Sequence, residues 1–316
     1  MTVKMYESDR APDDSERTAF RRAEKKYKLY YNHTNKKSSK GQRQPKKVEL
    51  SEVVDFKSVL ESFNQNGETP PGIFKLRCDS NLPVFGIENR PGFYFIPGSL
   101  SIEEQQYWIK ESLTSFPQPP NRTNHNAVYG PIPDLFIAAK NKKVWVEVKN
   151  SVKDVSGGPD SGIKDADGCK WQFSEETVAI SKGQPCKSIA ASVLLRKLRW
   201  STLGLQFDWS KVICLGVTSM TWKQIGVNLY LGCKAIFLLG GKSREDDPIA
   251  MFVRSGDIVL MAGEARECFH GVPRIFTDNE NAEITHLAAQ FSRQDDVCFL
   301  EYIRTSRINI NIRQVF

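Results

Sequence analysis

The sequence predicts an α+β fold, with helical and strand patterns in separate stretches and short strands dominating the last third. Three observations predict it. Arg307–Arg313 alternates strictly: Ile308, Ile310 and Ile312 fall on one face, and Arg307, Asn309, Asn311 and Arg313 on the other. The apolar runs Ala235–Gly241 and Ile258–Gly263 are short and bounded by glycine, which suits buried strands better than helices. Ser101 stands three residues before Glu104, a capping box that starts a helix at about Ile102 and carries it to Leu113.

Taken in order, Glu16–Tyr30 reads as a helix, with Phe20, Ala23, Tyr27 and Tyr30 at helical spacing. Tyr31–Lys47 is rich in Asn, Lys, Ser and Gln and predicts a flexible stretch. Val48–Phe63 can form a second helix, and Pro70-Pro71-Gly72 ends it. Phe74–Leu76, Val84–Ile87 and Phe93–Ile96 read as strands, and Val144–Val148 alternates like one. Ser188–Trp200 is amphipathic. Ser255-Gly256-Asp257 is turn chemistry ahead of the Ile258 strand, and Cys268–Val272 reads as a further strand after a charged turn.

A chain of 316 residues with 40% hydrophobic content can bury a sizeable core in one large or two small domains. No apolar run reaches the length of a membrane span, and no apolar signal region opens the chain. The seven cysteines are scattered and never spaced C-x-x-C, which argues for reduced thiols and against a zinc module. Charge is unevenly placed. Between Arg17 and Lys47, twelve Lys and Arg face the single acid Glu24, so that segment carries +11; the whole chain carries +7, leaving −4 for the remainder. Such an arm suits a phosphate backbone read without sequence, and equally suits a solvated tail or a nuclear-import signal.

Two motifs fail on inspection. Asp165-x-Asp167-Gly168 lacks the length and closing glutamate of a calcium loop. Gly240-Gly241-Lys242-Ser243 has Ile236 where a phosphate-binding loop needs glycine, and a charged Pro-terminated stretch follows it, so a hairpin loop fits better. A third motif stands. Arg196-Lys197-Leu198-Arg199-Trp200 interleaves basic and aromatic residues, and Phe207 and Trp209 follow; the pattern suits base stacking with backbone contact, or aromatic core packing.

The polar face of Arg307–Arg313 carries guanidinium at both ends and amides between, which suits a carboxylate. His270, one of four histidines, lies on the preceding strand-like run, and a neutral imidazole is the commonest metal ligand, although a lone histidine is more often structural. In this order the features resemble the AlkB family of Fe(II)- and 2-oxoglutarate-dependent dioxygenases. Arg307, Asn309 and Arg313 match its terminal Arg-x-Asn-x-x-x-Arg, which holds 2-oxoglutarate, and His270 matches its distal iron ligand. The phrases Ala235–Gly241 and Ser255–Val259 are similar to the AlkB-homologue-1 branch in a plant-like form. Trp200, Phe207 and Trp209 match the spacing of the lid that sandwiches the flipped base. The resemblance runs from roughly Phe93 to Phe316 and implies a double-stranded β-helix, or jelly-roll. It implies that Arg307 meets the distal carboxylate of 2-oxoglutarate, that Arg313 lies near its iron-side carboxylate, and that Asn309 completes the polar face.

Half of the expected metal site is missing. The family holds iron with His-x-Asp and a later His, a two-histidine, one-carboxylate triad. Between Lys211 and Leu231 this chain has no His, Asp or Glu, and the interval is too short for the strands the family places there. One permitted coding of Gly216–Leu229, read one base earlier, gives Gly-His-Leu-Asp-Asp-Met-Glu-Ala-Asp-Trp-Ser-Lys-Pro. That contains the missing motif in family-like context, which points to a mis-spliced or mispredicted product.

These readings divide the chain into a basic, largely disordered arm (1–72), an extension and start of the AlkB-like domain (73–199) and an incomplete oxygenase core (200–316). The resemblance implies oxidative demethylation of N-methylated bases in tRNA or DNA, with Fe(II), 2-oxoglutarate and oxygen, in cytoplasm or nucleus. The chain as written is expected to lack that activity; the alternative is a non-catalytic nucleic-acid-binding pseudoenzyme. The sequence sets no oligomeric state.

Overall fold

The structure is a computed structural model, and it describes residues 17–28, 48–77, 82–149, 169–175, 188–203, 226–277, 281–291 and 293–313. The chain begins with α1 (Ala19–Tyr27), α2 (Phe56–Asn66), β1 (Ile73–Lys75), β2 (Phe85–Ile87), β3 (Phe93–Ile96) and α3 (Ile102–Thr114). It continues with β4 (Arg122–Thr123), α4 (Asn126–Tyr129), α5 (Leu135–Lys140), β5 (Val144–Lys149), β6 (Cys169–Ser174), β7 (Ser188–Ala190), α6 (Ala191–Arg196) and β8 (Ser201–Thr202). It ends with β9 (Gly226–Gly232), β10 (Ala235–Leu239), β11 (Ile249–Val253), β12 (Ile258–Met261), β13 (His270–Ile275), α7 (Thr285–Gln290), α8 (Val297–Ile303) and β14 (Arg307–Arg313). The chain divides into two units, one of Met1–Gln105 with Cys214–Phe316 and one of Gln106–Ile213. No described helix is long and apolar enough to cross a membrane.

The first unit carries two antiparallel sheets, in the orders β1-β2-β3-β12-β9-β14 and β11-β10-β13. Alternate side chains of each meet in a single core: Phe93, Phe95, Tyr230, Val259 and Met261 from the larger sheet, and Ala235, Phe237, Leu239, Met251 and Val253 from the smaller. Two antiparallel sheets that share one core are the layer pattern of a jelly-roll. Among the described residues each sheet ends on a strand that the sequence singles out, the larger on β14 and the smaller on β13.

Helix limits follow from caps. α1 begins at Ala19 because the Thr18 hydroxyl accepts from the Arg21 amide at 3.3 Å. Its Phe20 and Tyr27 then bury against Ile236, Leu238, Ala250 and Phe276, on the far face of the smaller sheet. The helix expected over Val48–Phe63 starts only at Phe56. Asp55 caps it, accepting from the Lys57 amide at 3.0 Å, while Val54 is already committed to a β-bridge with Met251. Phe56 reaches the shared core and stacks on Phe95 at 4.3 Å between centroids. The capping box of α3 forms as read: the Glu104 amide donates to Ser101 Oγ at 3.2 Å, and the Ser101 amide donates to Glu104 Oε2 at 2.8 Å. The charged turn before β13 is a 3-10 turn, Gly263–Glu267.

The second unit has a three-stranded antiparallel sheet, β6-β5-β7, and the short pair β4-β8. The amphipathic stretch Ser188–Trp200 splits there, because its first residues pair with β5 as β7 and only then turn into α6. Trp145, Ile132, Leu135, Ala138, Ala191 and Leu194 form the core. His125 is buried in this unit, with Nε2 2.9 Å from the Leu194 carbonyl, so it is a satisfied structural histidine.

Candidate cofactor site

The site is built on β14 and its neighbour β9. Their antiparallel register sets Arg307 opposite Gly232, Asn309 opposite Tyr230 and Asn311 opposite Asn228. Opposed residues share a sheet face, so the polar face of β14 meets Tyr230 and Asn228 across the ladder. Asn228 is buried, and its Oδ1 accepts from Asn311 Nδ2 at 2.8 Å and, at the long limit of 3.5 Å, from Asn309 Nδ2. The Arg307 guanidinium carbon lies 5.0 Å over the Tyr230 ring.

Arg307 is the conspicuous group. Its Nη1 is buried and has no hydrogen-bond partner. Burial lowers its pKa, opposed in part by Tyr230. Tyr230 is 2% exposed, and burial raises its phenol pKa, offset by Arg307 and reinforced by Asp257, so the phenol is neutral. The guanidinium therefore rests against a neutral phenol, and an unpaired buried donor of that kind is costly without an anion.

Tyr230 also sets its ring edge-on to Phe237, with centroids 6.2 Å apart, and Phe237 lies 6.0 Å from the His270 imidazole. Three ring contacts thus link Arg307 on one sheet to His270 on the other. His270 is exposed, with Nδ1 3.0 Å from the Cys268 carbonyl. A carbonyl only accepts, so Nδ1 carries the hydrogen of this bond.

A buried polar turn holds β9 in place. Ser255 Oγ donates to Gln105 Oε1 at 2.7 Å and accepts from the Gly232 amide at 3.1 Å. Gly256 has φ +88°, and a Cβ there would stand 2.5 Å from Gln105 Nε2. Asp257, 4% exposed, accepts from the Gly98 amide at 2.8 Å and the Arg254 amide at 2.7 Å. Burial pushes its carboxyl up to about 6 against those two bonds. Nearby, Arg254 makes a bidentate pair with Asp55 at 2.8 Å and donates from Nε to Glu283 at 2.6 Å; Glu283 also bonds Lys234.

The residues expected to form the site are placed as follows. Arg307 and Asn309 share one face of β14 with Asn311, and His270 reaches them through Tyr230 and Phe237. Arg313 ends β14 opposite Gly226. Trp200 lies in the second unit and is 50% exposed; the adjoining Arg199 amide donates to Asn124 Oδ1 at 2.7 Å. Phe207, Trp209, the Asp165 loop and most of Gly216–Leu229 lie outside the described residues. Sequence reasoning missed Asn228, Tyr230 and Phe237. The alternation of β9, with Asn228 and Tyr230 on one face, is the signal that marks the first two.

The donor sets differ in their fit. Arg307, with an orphaned buried Nη1 beside the Tyr230 ring, fits the carboxylate of 2-oxoglutarate. Iron is not matched: among the described residues no group of three His, Cys, Asp or Glu side chains could hold a metal ion.

Residues 219–313 match the family described as 2OG-Fe(II) oxygenase superfamily, so the site falls within the oxygenase class that uses 2-oxoglutarate. The chain is 51% identical over 364 aligned positions to "DNA N(6)-methyladenine demethylase ALKBH1A" of Arabidopsis thaliana, covering 99% of this chain and 100% of that protein. It is 26% identical to "Nucleic acid dioxygenase ALKBH1" of Homo sapiens, over 87% of this chain and 81% of the human one. It is 24% identical to "tRNA demethylase abh1" of Schizosaccharomyces pombe, over 84% of this chain and 90% of the yeast one. The chain belongs to the AlkB-homologue-1 family of dioxygenases, whose superfamily membership implies Fe(II) and 2-oxoglutarate.

Proposed function

We propose that this chain derives from an oxidative demethylase of N-methylated bases in tRNA or DNA and, as written, has lost that activity. The observation that carries the reading is the donor set: among the described residues His270 has no companion ligands, where a metal needs a complete first shell. Two further observations support a lost segment. The alignment with the Arabidopsis protein runs to 364 positions against a chain of 316 residues, so at least 48 positions have no counterpart here. Among the described residues both sheets end on the strands that carry the site, β14 and β13, as they would if a hairpin had contributed one central strand to each.

In a chain with a complete metal shell, 2-oxoglutarate supplies the electrons that activate oxygen. The residues of this chain have simpler tasks. Arg307 holds the distal carboxylate, Asn309 and Asn311 keep the face polar, and Tyr230 and Phe237 keep bulk water from the guanidinium. Arg313 is assigned to the iron-side carboxylate. Trp200, with Phe207 and Trp209, is assigned to a base taken out of its stack. Cytoplasm or nucleus is the proposed place of action.

The test is purification of the chain alongside a variant with a His-x-Asp segment restored. The chain is expected to bind no stoichiometric Fe(II) and to release no succinate from 2-oxoglutarate. Stoichiometric iron and turnover in the unrestored chain would sink the reading.

A second reading, a nucleic-acid-binding pseudoenzyme, is favoured by the basic side chains of α1, which is anchored through Phe20 and Tyr27. It requires salt-dependent RNA binding that deletion of Arg17–Lys47 abolishes and 2-oxoglutarate leaves unchanged.

A further inference from the structure

In the second unit, the two segments joined by the β4-β8 pair carry the cations Arg122, Arg196, Lys197 and Arg199. No Asp or Glu occurs in residues 119–130 or 188–203. All of these cations are exposed. Among the described tryptophans, Trp108, Trp145 and Trp171 each pack against another ring, whereas Trp200 is 50% exposed. An open indole on an acid-free basic segment suits a ligand that is both flat and anionic, which describes a nucleotide.

The backbone under this surface is held at several points. β4 and β8 pair Arg122 with Thr202 and Thr123 with Ser201. The Asn124 side chain extends the contact: its Oδ1 accepts from the Arg199 amide at 2.7 Å, and its Nδ2 donates to the Lys197 carbonyl at 3.0 Å. This amide stands in for a peptide group and fixes the chain on both sides of Leu198. His125 adds its 2.9 Å contact to the Leu194 carbonyl. Thr123 is buried, while Arg122 and Thr202, opposed in the ladder, are exposed. Trp200 precedes Thr202 by two residues, the spacing that returns a side chain to the same side of an extended chain. Arg122 and Trp200 are then diagonal neighbours, about 7–8 Å apart and within reach of long side chains.

We infer that these segments form a preformed nucleotide platform, in which Arg122 contacts the phosphate next to a base stacked on Trp200. Asn124 is its positioning residue, because it acts through the backbone of residues 197–199 and touches no ligand. The inference rests on the assignment of Trp200 to a base made above. It adds a phosphate contact from a distant segment, which the basic–aromatic run itself does not contain. A platform fixed before binding gives up little chain entropy when the nucleotide arrives.

The experiment is fluorescence-anisotropy titration of the full chain with a single-stranded oligouridylate of about twelve nucleotides, at several salt concentrations. Every variant retains the basic residues 17–47, so their contribution cancels in the differences. Trp200→Leu is expected to weaken binding about tenfold and leave the salt dependence unchanged, since a stack releases no counterion. Arg122→Gln is expected to weaken binding about threefold at low salt. It should also flatten the slope of log affinity against log salt by about 0.7, the value of one phosphate on a single strand, and Arg122→Lys should restore both. Asn124→Ala is expected to weaken binding about threefold by itself and to have no effect beside Trp200→Leu, which a general loss of folding would not produce. An unchanged slope in Arg122→Gln overturns the inference; if Trp200→Leu still weakens binding, the assignment of Trp200 to a base stands. Weakening by Arg122→Gln with none by Trp200→Leu marks a patch for any polyanion, acidic proteins included, and overturns both. Absence of binding by the intact chain at about 100 μM also overturns both.

Discussion

Asp257 gives the sharpest test of the architecture around the site. Its carboxyl is 4% exposed and titrates at about 6, against an ordinary value of 3.8. Burial drives the rise and outweighs the amide bonds from Gly98 and Arg254. The native state therefore holds this proton more tightly than the unfolded chain does. Between about pH 4 and pH 6 the folded protein binds more protons from this group, so stability falls as pH rises and levels off above pH 6. The displacement corresponds to about 3 kcal/mol. Asp257→Asn copies the shape of the protonated carboxyl and removes the titration. Urea unfolding of both proteins at several pH values from 4 to 8 isolates the group, since Arg254, Asp55 and Glu283 contribute to both curves. The native protein should lose about 3 kcal/mol more than the variant across the acid range. Parallel curves would show that the carboxylate is ionised and satisfied throughout, and the account of this turn would be wrong.

Other positions give independent tests. Phe56→Ala empties a fully buried place stacked on Phe95 and should cost about 3–5 kcal/mol in denaturant unfolding. Arg254→Met strands part-buried Asp55, leaves Glu283 to Lys234 alone, and should destabilise by about 2–4 kcal/mol; Arg254→Lys should recover only part, because an ammonium lacks the bidentate fork. Gly256→Ala meets both a left-handed φ and the Gln105 amide and should cost at least about 1–3 kcal/mol, read as a lowered melting temperature.

What could be read in the sequence was local. The capping box of Ser101 and Glu104, the Ser255-Gly256-Asp257 turn, the strand Phe93–Ile96 and the alternation of Arg307–Arg313 each reside in a few adjacent residues, and each appears as expected. What escaped was pairing at a distance. Asn228 meets Asn311 across 83 residues, and Tyr230 meets Arg307 through the same ladder, so no local pattern joins them. The helix expected over Val48–Phe63 shortened for a similar reason: Val54 bridges Met251, a partner that local propensity does not see. Arg254 holds Asp55 across 199 positions, and nothing near either residue announces it.

Among the described residues the larger sheet stops at β14 and the smaller at β13, and this arrangement bears on thermodynamic linkage. Consider a hairpin that laid one strand along each of these borders. Its backbone would satisfy amides and carbonyls on both strands at once, and its turn would bring new side chains beside His270. If those side chains were metal ligands, closing the sheets and completing the coordination shell would be one event. Chelation would then lower the melting temperature of the closed protein, the free metal concentration would set how much of it is folded, and a chain without the hairpin would be blind to both.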